Sequence, residues 1–258
     1  MNDSSQEIPR RVGAREGLQW VVEGFRLYRR NPLLLSAAFG VLFGTLMALG
    51  LIPAVGSALS ELAWPLMVAG FMAAYRALDS GQELELPRFL AGVRGPVIPL
   101  ATVGAVQLLG TLVIGQIMVG MGFDAQALMT AAQSPQDPAA MQAVIERSMP
   151  ALMTGLALFT PLIMATWFAP ALILFGGARP ATALGVSLKA VVRNWLAMLV
   201  NGLALGLVLF VSALVPFLLG LLVAMPVMFG SLYASYQALF AVWADDEAEP
   251  GQAGDRFA

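Results

Sequence analysis

The chain contains no cysteine and no histidine, and charged residues make up only 12% of its 258 residues. Without cysteine there are no disulfides, no thiolate nucleophiles and no thiolate metal ligands. Without histidine the commonest general base and metal ligand is missing, and a Ser-His triad is excluded. The net charge of −2 provides no general attraction for nucleic acid. We therefore expect no catalytic residues, no metal, no cofactor and no nucleic-acid partner, and we predict that the protein is not an enzyme.

Long segments without any charged residue are the main feature of this sequence, in which 59% of the residues are hydrophobic. A helix needs about 20 apolar residues to cross the hydrocarbon core of a membrane. The segments are too long and unbroken for the strands of a membrane barrel. They cover residues 31–60, 95–123, 148–178 and 194–244. The longest is expected to hold two spans, with a break near 216–220.

These segments predict an all-α polytopic membrane protein with six transmembrane helices arranged as three hairpins. The spans are expected at about residues 32–53, 56–78, 96–122, 150–175, 195–215 and 218–243. Residues 15–243 then form one membrane domain, with an external loop at 124–149. The polar segment 1–14 and the acidic segment 244–258 are predicted to be disordered tails.

Basic residues determine the predicted orientation of the spans. With six spans, every one of the 14 Lys and Arg residues except Arg147 falls on the same side of the membrane. Cytoplasmic segments of membrane proteins are enriched in basic residues, so both termini are predicted to be cytoplasmic. An odd number of spans would divide the basic residues between the two sides.

A unit made of an amphipathic helix and a membrane hairpin is predicted to occur three times. The second helix of each hairpin contains a proline, at Pro65, Pro161 and Pro226 respectively. The hairpins begin with similar sequences, namely Phe25-x4-Arg30-Asn31-Pro32, Phe89-x4-Arg94-Gly95-Pro96 and Leu188-x4-Arg193-Asn194-Trp195.

The amphipathic helices are expected at about residues 15–30, 87–94 and 180–194. Apolar stripes with basic residues beside them are typical of helices that lie in the membrane interface. A basic side chain near anionic lipid adds about 1 kcal/mol of attraction. The candidate contacts for lipid headgroups are Arg26, Arg30, Arg94, Lys189 and Arg193. The alternative is that these helices are structural elbows, which fix the hairpins and need no ligand.

Polar side chains inside the predicted spans are candidates for an intramembrane site. Glu61 is the acidic one, and it is a candidate to bind a proton, a cation or a substrate amine. An acidic group at a helix centre costs about 2.5–3.5 kcal/mol on insertion. The neutral amides are candidates to line a polar path, although interhelical hydrogen bonds are their ordinary role. The set is Glu61, Gln107, Gln116 and Asn201.

Aromatic and polar side chains also gather near the predicted cytoplasmic ends of spans two and six. They form either an interfacial belt or a pocket for a lipid headgroup. They are Tyr75, Tyr233, Ser235, Tyr236 and Gln237. Trp20 and Trp195 are expected near the same interface, where indole rings prefer to lie.

The chain resembles a family of uncharacterised six-span inner-membrane proteins of Gram-negative bacteria, over about residues 15–243. More distantly, it is similar to the membrane domain of some glycerophosphodiester phosphodiesterases. The resemblance implies a location in the bacterial cytoplasmic (inner) membrane, and it implies no functional residues. No phosphodiesterase catalytic domain is found in these residues, so that activity is not implied. The stretches that carry the resemblance are Arg29-Arg30-Asn31-Pro32, Trp167-Phe168-Ala169-Pro170-Ala171-Leu172, Pro180 through Ser187 to Arg193-Asn194-Trp195, and Tyr233-Ala234-Ser235-Tyr236 with Phe240.

The sequence leaves two functions open. The first is a non-enzymatic membrane protein that organises lipids or partner proteins, including other copies of itself. The second is a transporter or permease for a lipid or small solute, since transporters often combine internal repeats with broken helices. Convergence of the polar side chains within the spans would favour transport. The sequence does not identify a substrate, a partner or an oligomeric state.

Overall fold

The computed structural model describes residues 9–133, 138–216 and 219–245. The predicted tails fall largely outside these residues, and so does part of the break expected at 216–220. Within the described chain the structure is α-helical, with a 3₁₀ helix at Leu86–Leu90. The α-helices are α1 (Ala14–Tyr28), α2 (Pro32–Gly50), α3 (Gly56–Asp79), α4 (Ala91–Arg94), α5 (Val97–Gly120), α6 (Ala125–Ala132), α7 (Pro138–Trp167), α8 (Ala169–Gly176), α9 (Pro180–Arg193), α10 (Trp195–Ala213) and α11 (Leu221–Asp245).

Helices long and apolar enough to cross a membrane occur six times in the described chain. Many of their large apolar side chains are exposed, among them Leu109, Leu203 and Phe210. Exposure to water would cost about 25 cal/mol per Å² of apolar surface, whereas exposure to lipid does not. The spans are Pro32–Gly50, Gly56–Asp79, Val97–Gly120, Met141–Gly176, Trp195–Ala213 and Leu221–Phe240. The prediction of an all-α polytopic membrane protein with six spans is confirmed.

Local sequence signals explain several helix ends. Asn31 caps α2 by accepting a hydrogen bond through its side chain, and Pro32 follows at the first helical position. Asp124 caps α6 by accepting from two backbone N–H groups. α8 is followed by Gly177, whose φ of 60° suits glycine because it has no Cβ.

The segment between spans three and four is largely helical where the structure describes it. Within residues 124–149, the predicted external loop, α6 occupies Ala125–Ala132 and α7 begins at Pro138. Pro150, the predicted start of span four, lies inside α7. A proline lacks the N–H for one intrahelical bond, but the remaining helix continues through it. Span four is therefore the extension of a longer helix.

The chain divides into two compact units, one of residues up to Ala105 and from Met164, the other of Val106–Ile163. In the smaller unit, a Cβ added at Gly110 would overlap the side chain of Leu162, and one at Gly155 would overlap that of Met118. These glycines therefore allow α5 and α7 to pack closely.

In the larger unit, α1 packs directly against two spans. A Cβ at Gly17 would overlap the Ala197 carbonyl of α10, and one at Gly24 would overlap the backbone of Ser231 in α11. Trp20, predicted to lie at the interface, is only 3% exposed. On another side of α1, apolar residues such as Phe25 are exposed. α1 is therefore a packed part of the bundle that also presents an apolar stripe.

Small residues of the short helices allow close contact with the spans in the larger unit. A Cβ added at Gly24 of α1 would overlap the Val227 carbonyl next to Pro226, and one added at Gly92 of α4 would overlap the Leu66 carbonyl next to Pro65. Ser187 of α9 donates to the Met164 carbonyl. The threefold repeat stays a prediction.

Candidate functional site

The last turn of α3 is the centre of the candidate site. Tyr75, fully buried, holds α3 against α11 by donating its hydroxyl to the Pro226 carbonyl at 2.6 Å. One turn earlier, the ring of Phe71 stacks on Phe229 with centroids 4.6 Å apart. Because these contacts fix α3, the polar residues that follow Tyr75 have defined positions at the end of the helix.

One cavity, which we call the α1 cavity, lies between α1, the end of α3 and α11. Its volume is about 250 Å³. Gln237 donates to the Tyr233 hydroxyl at 2.6 Å, and Tyr233 donates to Asp79 at 3.1 Å. The cavity is lined by Glu16, Gln19, Trp20, Glu23, Leu27, Asp79, Tyr233, Ala234, Gln237 and Ala238. Its ionisable groups other than the tyrosine are all acidic.

The carboxylates of the α1 cavity have different partners. Glu23 pairs with Arg26, and this hydrogen bond and the charge of Glu23 raise the pKa of Arg26. Among the described residues, the acidic side chains do not gather into a group able to hold a metal ion. The buried indole nitrogen of Trp20 has no hydrogen-bond partner among those residues.

A second cavity, which we call the Arg88 cavity, lies beside the same end of α3 and has a volume of about 370 Å³. Arg88 donates to the side-chain oxygen of Gln82 at 2.9 Å. The guanidinium carbon of Arg76 lies 5.0 Å from the centroid of the Phe175 ring, which is a cation–π distance. The cavity is lined by Ala73, Arg76, Ala77, Ser80, Gln82, Arg88, Leu174 and Phe175. Its charged lining residues are both arginines.

The predicted headgroup contacts are all on the surface. The exposed residues are Arg26, Arg30, Arg94, Lys189 and Arg193. Arg30 donates to the Leu78 carbonyl near the end of α3, and Arg26 pairs with Glu23. Arg30, Arg94 and Arg193 each lie within three residues of the start of a span. Their guanidinium groups are thus close to the ends of α2, α5 and α10.

The predicted intramembrane residues lie on three helices, α3, α5 and α10. Asn201, 1% exposed, accepts a hydrogen bond from Ser231 at 2.7 Å and joins α10 to α11. Glu61 is half-buried on α3, and a Cβ at Gly104 would overlap its carbonyl. Gln107 and Gln116 belong to the smaller unit, and Gln116 is exposed. Neither the α1 cavity nor the Arg88 cavity is lined by any of them.

Sequence reasoning found only part of the two cavities. It singled out Tyr233 and Gln237, which line the α1 cavity, as members of a possible headgroup pocket. Arg76 and Arg88 entered only among the basic residues that orient the spans. The available signal was the polar turn Asp79-Ser80-Gly81, because a turn at a span end places polar groups at headgroup depth.

The fold and the apolar spans define a polytopic integral membrane protein. A probable inner membrane protein of Burkholderia thailandensis is 30% identical over 275 residues, covering 93% of this chain and 94% of the relative. The chain therefore belongs to the same family and is a multi-pass inner-membrane protein. No family model matches the chain, and no solved structure matches it. None of these comparisons supports the distant similarity to the phosphodiesterase membrane domain.

Proposed function

We propose that this protein is a non-enzymatic organiser of membrane lipids, which binds anionic headgroups at its cytoplasmic face. The observation that supports it best is the position of three exposed arginines, Arg30, Arg94 and Arg193, directly before the spans α2, α5 and α10. A residue at the start of a span lies at the depth of the lipid phosphates. The proposal includes the cytoplasmic location of both termini.

The attractions of the basic side chains to an anionic membrane surface add together. Each basic residue near an anionic leaflet contributes about 1 kcal/mol. Lys189 and Arg193 lie on one exposed side of α9, and Arg26 extends the set on α1. Close packing of α1 fixes its basic residues relative to the spans, so they form a constant surface rather than a mobile tail.

Organisation of partner proteins, or of further copies of this chain, is the second part of the proposal. The exposed stripe of Leu18, Val22 and Phe25 on α1 supports it, since apolar surface outside the packed core suits lipid or protein contact. No catalytic role is proposed for either cavity. The distant similarity to the membrane domain of glycerophosphodiester phosphodiesterases stays a prediction about fold alone.

Transport of a lipid or small solute is the second candidate function. Pro65, Pro161 and Pro226 interrupt hydrogen bonding inside three spans, as is common in transporters. Asn201 argues against a polar path along α10, because it is already satisfied by Ser231. A Glu61→Gln variant that keeps an observed flux in liposomes would remove Glu61 from any transport mechanism.

Native mass spectrometry of the protein released from its membrane tests the proposed function. We expect retained anionic phospholipid at a higher proportion than in the surrounding membrane. A combined Arg30→Gln, Arg94→Gln and Arg193→Gln variant is expected to lose most of this enrichment. A combined Arg10→Gln, Arg11→Gln and Arg15→Gln variant is the matched control, because it removes the same charge from exposed residues away from the span starts. Retained lipid that simply mirrors the membrane composition would contradict the proposal.

A further inference from the structure

The Arg88 cavity differs from the separate arginines at the span starts because two arginines, Arg76 and Arg88, line one half-open space. Arg76 belongs to the last turn of α3, and Arg88 belongs to the 3₁₀ helix that follows it. The turn between them contains Gly81 with a φ of 71°, and both arginines line one cavity. A volume of about 370 Å³ falls within the usual range for small-ligand sites, about 300–1,000 Å³.

We propose that the Arg88 cavity binds a phosphate group, carried either by an anionic lipid headgroup or by a free phosphate compound. Guanidinium groups hold phosphate through paired N–H donors, and they do so better than lysine. Arg88 uses one nitrogen for Gln82, and a guanidinium has five N–H donors. Gln82 also lines this cavity, and a side-chain amide has two N–H donors that can serve the same ligand.

The rest of the lining is consistent with a lipid phosphate or a phosphate ester. Ala73, Ala77, Leu174 and Phe175 form an apolar wall, which suits the carbon part of such a ligand. The carboxylates of the preceding turn, Glu83 and Glu85, are not among the lining residues. Asp79 lines the α1 cavity instead.

Arg76 has structural contacts that explain its position, whereas Arg88 has fewer. A basic residue in the last turn of a helix stabilises it through the helix dipole, and Arg76 also contacts Phe175. Arg88 is exposed, and its hydrogen bond is to the exposed side chain of Gln82. Arg88 is therefore the residue whose substitution separates ligand binding from helix stability.

The test compares Arg88→Gln with Arg29→Gln in the full-length chain. Arg29 is exposed at the end of α1 and lines neither cavity, so both variants lose the same charge. One arm measures phosphatidylglycerol retained by the protein in native mass spectra, after reconstitution with equal phosphatidylcholine and phosphatidylglycerol. The other arm titrates inorganic phosphate by calorimetry in a phosphate-free maltoside detergent.

We expect Arg88→Gln to weaken binding by about tenfold or more, the loss of one charge-assisted contact, and Arg29→Gln to have much less effect. Loss confined to phosphatidylglycerol identifies a lipid headgroup as the ligand, and loss confined to inorganic phosphate identifies a soluble one. Equal binding by both variants and the unsubstituted chain, or equal losses in both variants, would overturn the proposal.

Arg88→Lys keeps the charge but removes the planar fork, so its binding should lie between those of Arg88→Gln and the unsubstituted chain. It also covers the case in which Arg88→Gln does not fold, and binding equal to the unsubstituted chain would then contradict recognition by the guanidinium.

This inference extends the proposed function but fails separately from it. If lipid enrichment persists but substitution of Arg88 has no effect, only the proposal for the Arg88 cavity is wrong. If binding of inorganic phosphate depends on Arg88 but no lipid is enriched, only the proposed lipid organisation is wrong.

Discussion

The α1 cavity and the Arg88 cavity lie beside the last turn of the same helix, α3, but their charges are opposite. The first contains the carboxylates of Glu16, Glu23 and Asp79, whereas the second contains Arg76 and Arg88. Asp79 and Ser80 are adjacent in the chain, yet they line different cavities. α3 contributes Asp79 to the first cavity and Arg76 to the second. The remaining charges come from the neighbouring elements, α1 in one case and the 3₁₀ helix in the other.

The walls of the two cavities are also held in different ways. α1 is fixed to the spans by close backbone contacts at Gly17 and Gly24. The 3₁₀ helix is fixed by Gly70 of α3, where a Cβ would overlap the Phe89 carbonyl, and by the buried ring of Phe89. Each cavity can therefore be disturbed separately, which provides a direct way to test the comparison.

The largest effect is expected from Gly24→Ala. The added methyl would overlap the backbone of Ser231 and Val227, and overpacking of this kind costs about 1–3 kcal/mol. We expect lower stability in detergent unfolding titrations, with phosphate binding at Arg88 retained in the folded fraction.

Gly185→Ala in α9 is the matched control, because a Cβ there would meet nothing within 4 Å. Alanine is favoured over glycine inside a helix by about 1 kcal/mol, so this variant should be as stable as the unsubstituted chain or more so. Equal destabilisation by both substitutions would show that packing of α1 is not the cause.

Ser187→Ala is expected to have the next largest effect, on the side of the Arg88 cavity. The buried Ser187 hydroxyl donates to the Met164 carbonyl at 2.7 Å and accepts from the Phe168 N–H at 3.0 Å. The hydroxyl therefore satisfies backbone groups at the break between α7 and α8, and α8 carries Phe175. Leaving these groups unpaired should cost about 1–3 kcal/mol.

The same unfolding titration checks this variant, with Thr102→Ala as control. The Thr102 hydroxyl is exposed and bonds only within its own helix turn, to Ile98. Its removal should change stability by no more than about 0.5 kcal/mol. A Ser187→Ala protein as stable as the control would contradict the assigned role of the hydroxyl.

A smaller effect is expected in the α1 cavity from the pair Asp79 and Tyr233. Their hydrogen bond of 3.1 Å includes an exposed carboxylate, so we expect a coupling of at most about 1 kcal/mol. A double-mutant cycle of Asp79→Asn and Tyr233→Phe measures it. A coupling energy of zero would show that the bond does not connect α3 to α11.

The smallest effect is expected from Glu23→Gln. This residue pairs with Arg26 at the surface, and exposed ion pairs contribute little to stability. The unfolding midpoint should stay within experimental error, and a clear decrease would mean that the carboxylate has a further role in the α1 cavity.

Most of the fold could be predicted from the sequence because membrane spanning is a property of single segments. Pro32 and Pro180 predict the starts of α2 and α9, and the charge-free segments predict the spans. The start of span four is harder to predict, because α7 runs from Pro138 through Pro150 without a break.

The cavities were harder to predict because they depend on packing between distant segments. Glu16 and Tyr233 are far apart in sequence and line one cavity only because Gly24 brings α1 against α11. Charge patterning identified Arg30 and Arg193 through their periodic positions, whereas Arg88 has no such pattern. The residues that line the cavities are therefore determined by tertiary contacts and not by the sequence pattern.

On the orientation proposed above, both cavities lie at the cytoplasmic headgroup layer of a chain with an even number of spans. Because the chain has no cysteine, single variants Glu83→Cys, beside the Arg88 cavity, and Gln126→Cys, in α6, can be labelled with a membrane-impermeant maleimide. We predict that Glu83→Cys reacts only in inside-out vesicles and Gln126→Cys only in right-side-out vesicles. Labelling of both variants from the same side would contradict this orientation.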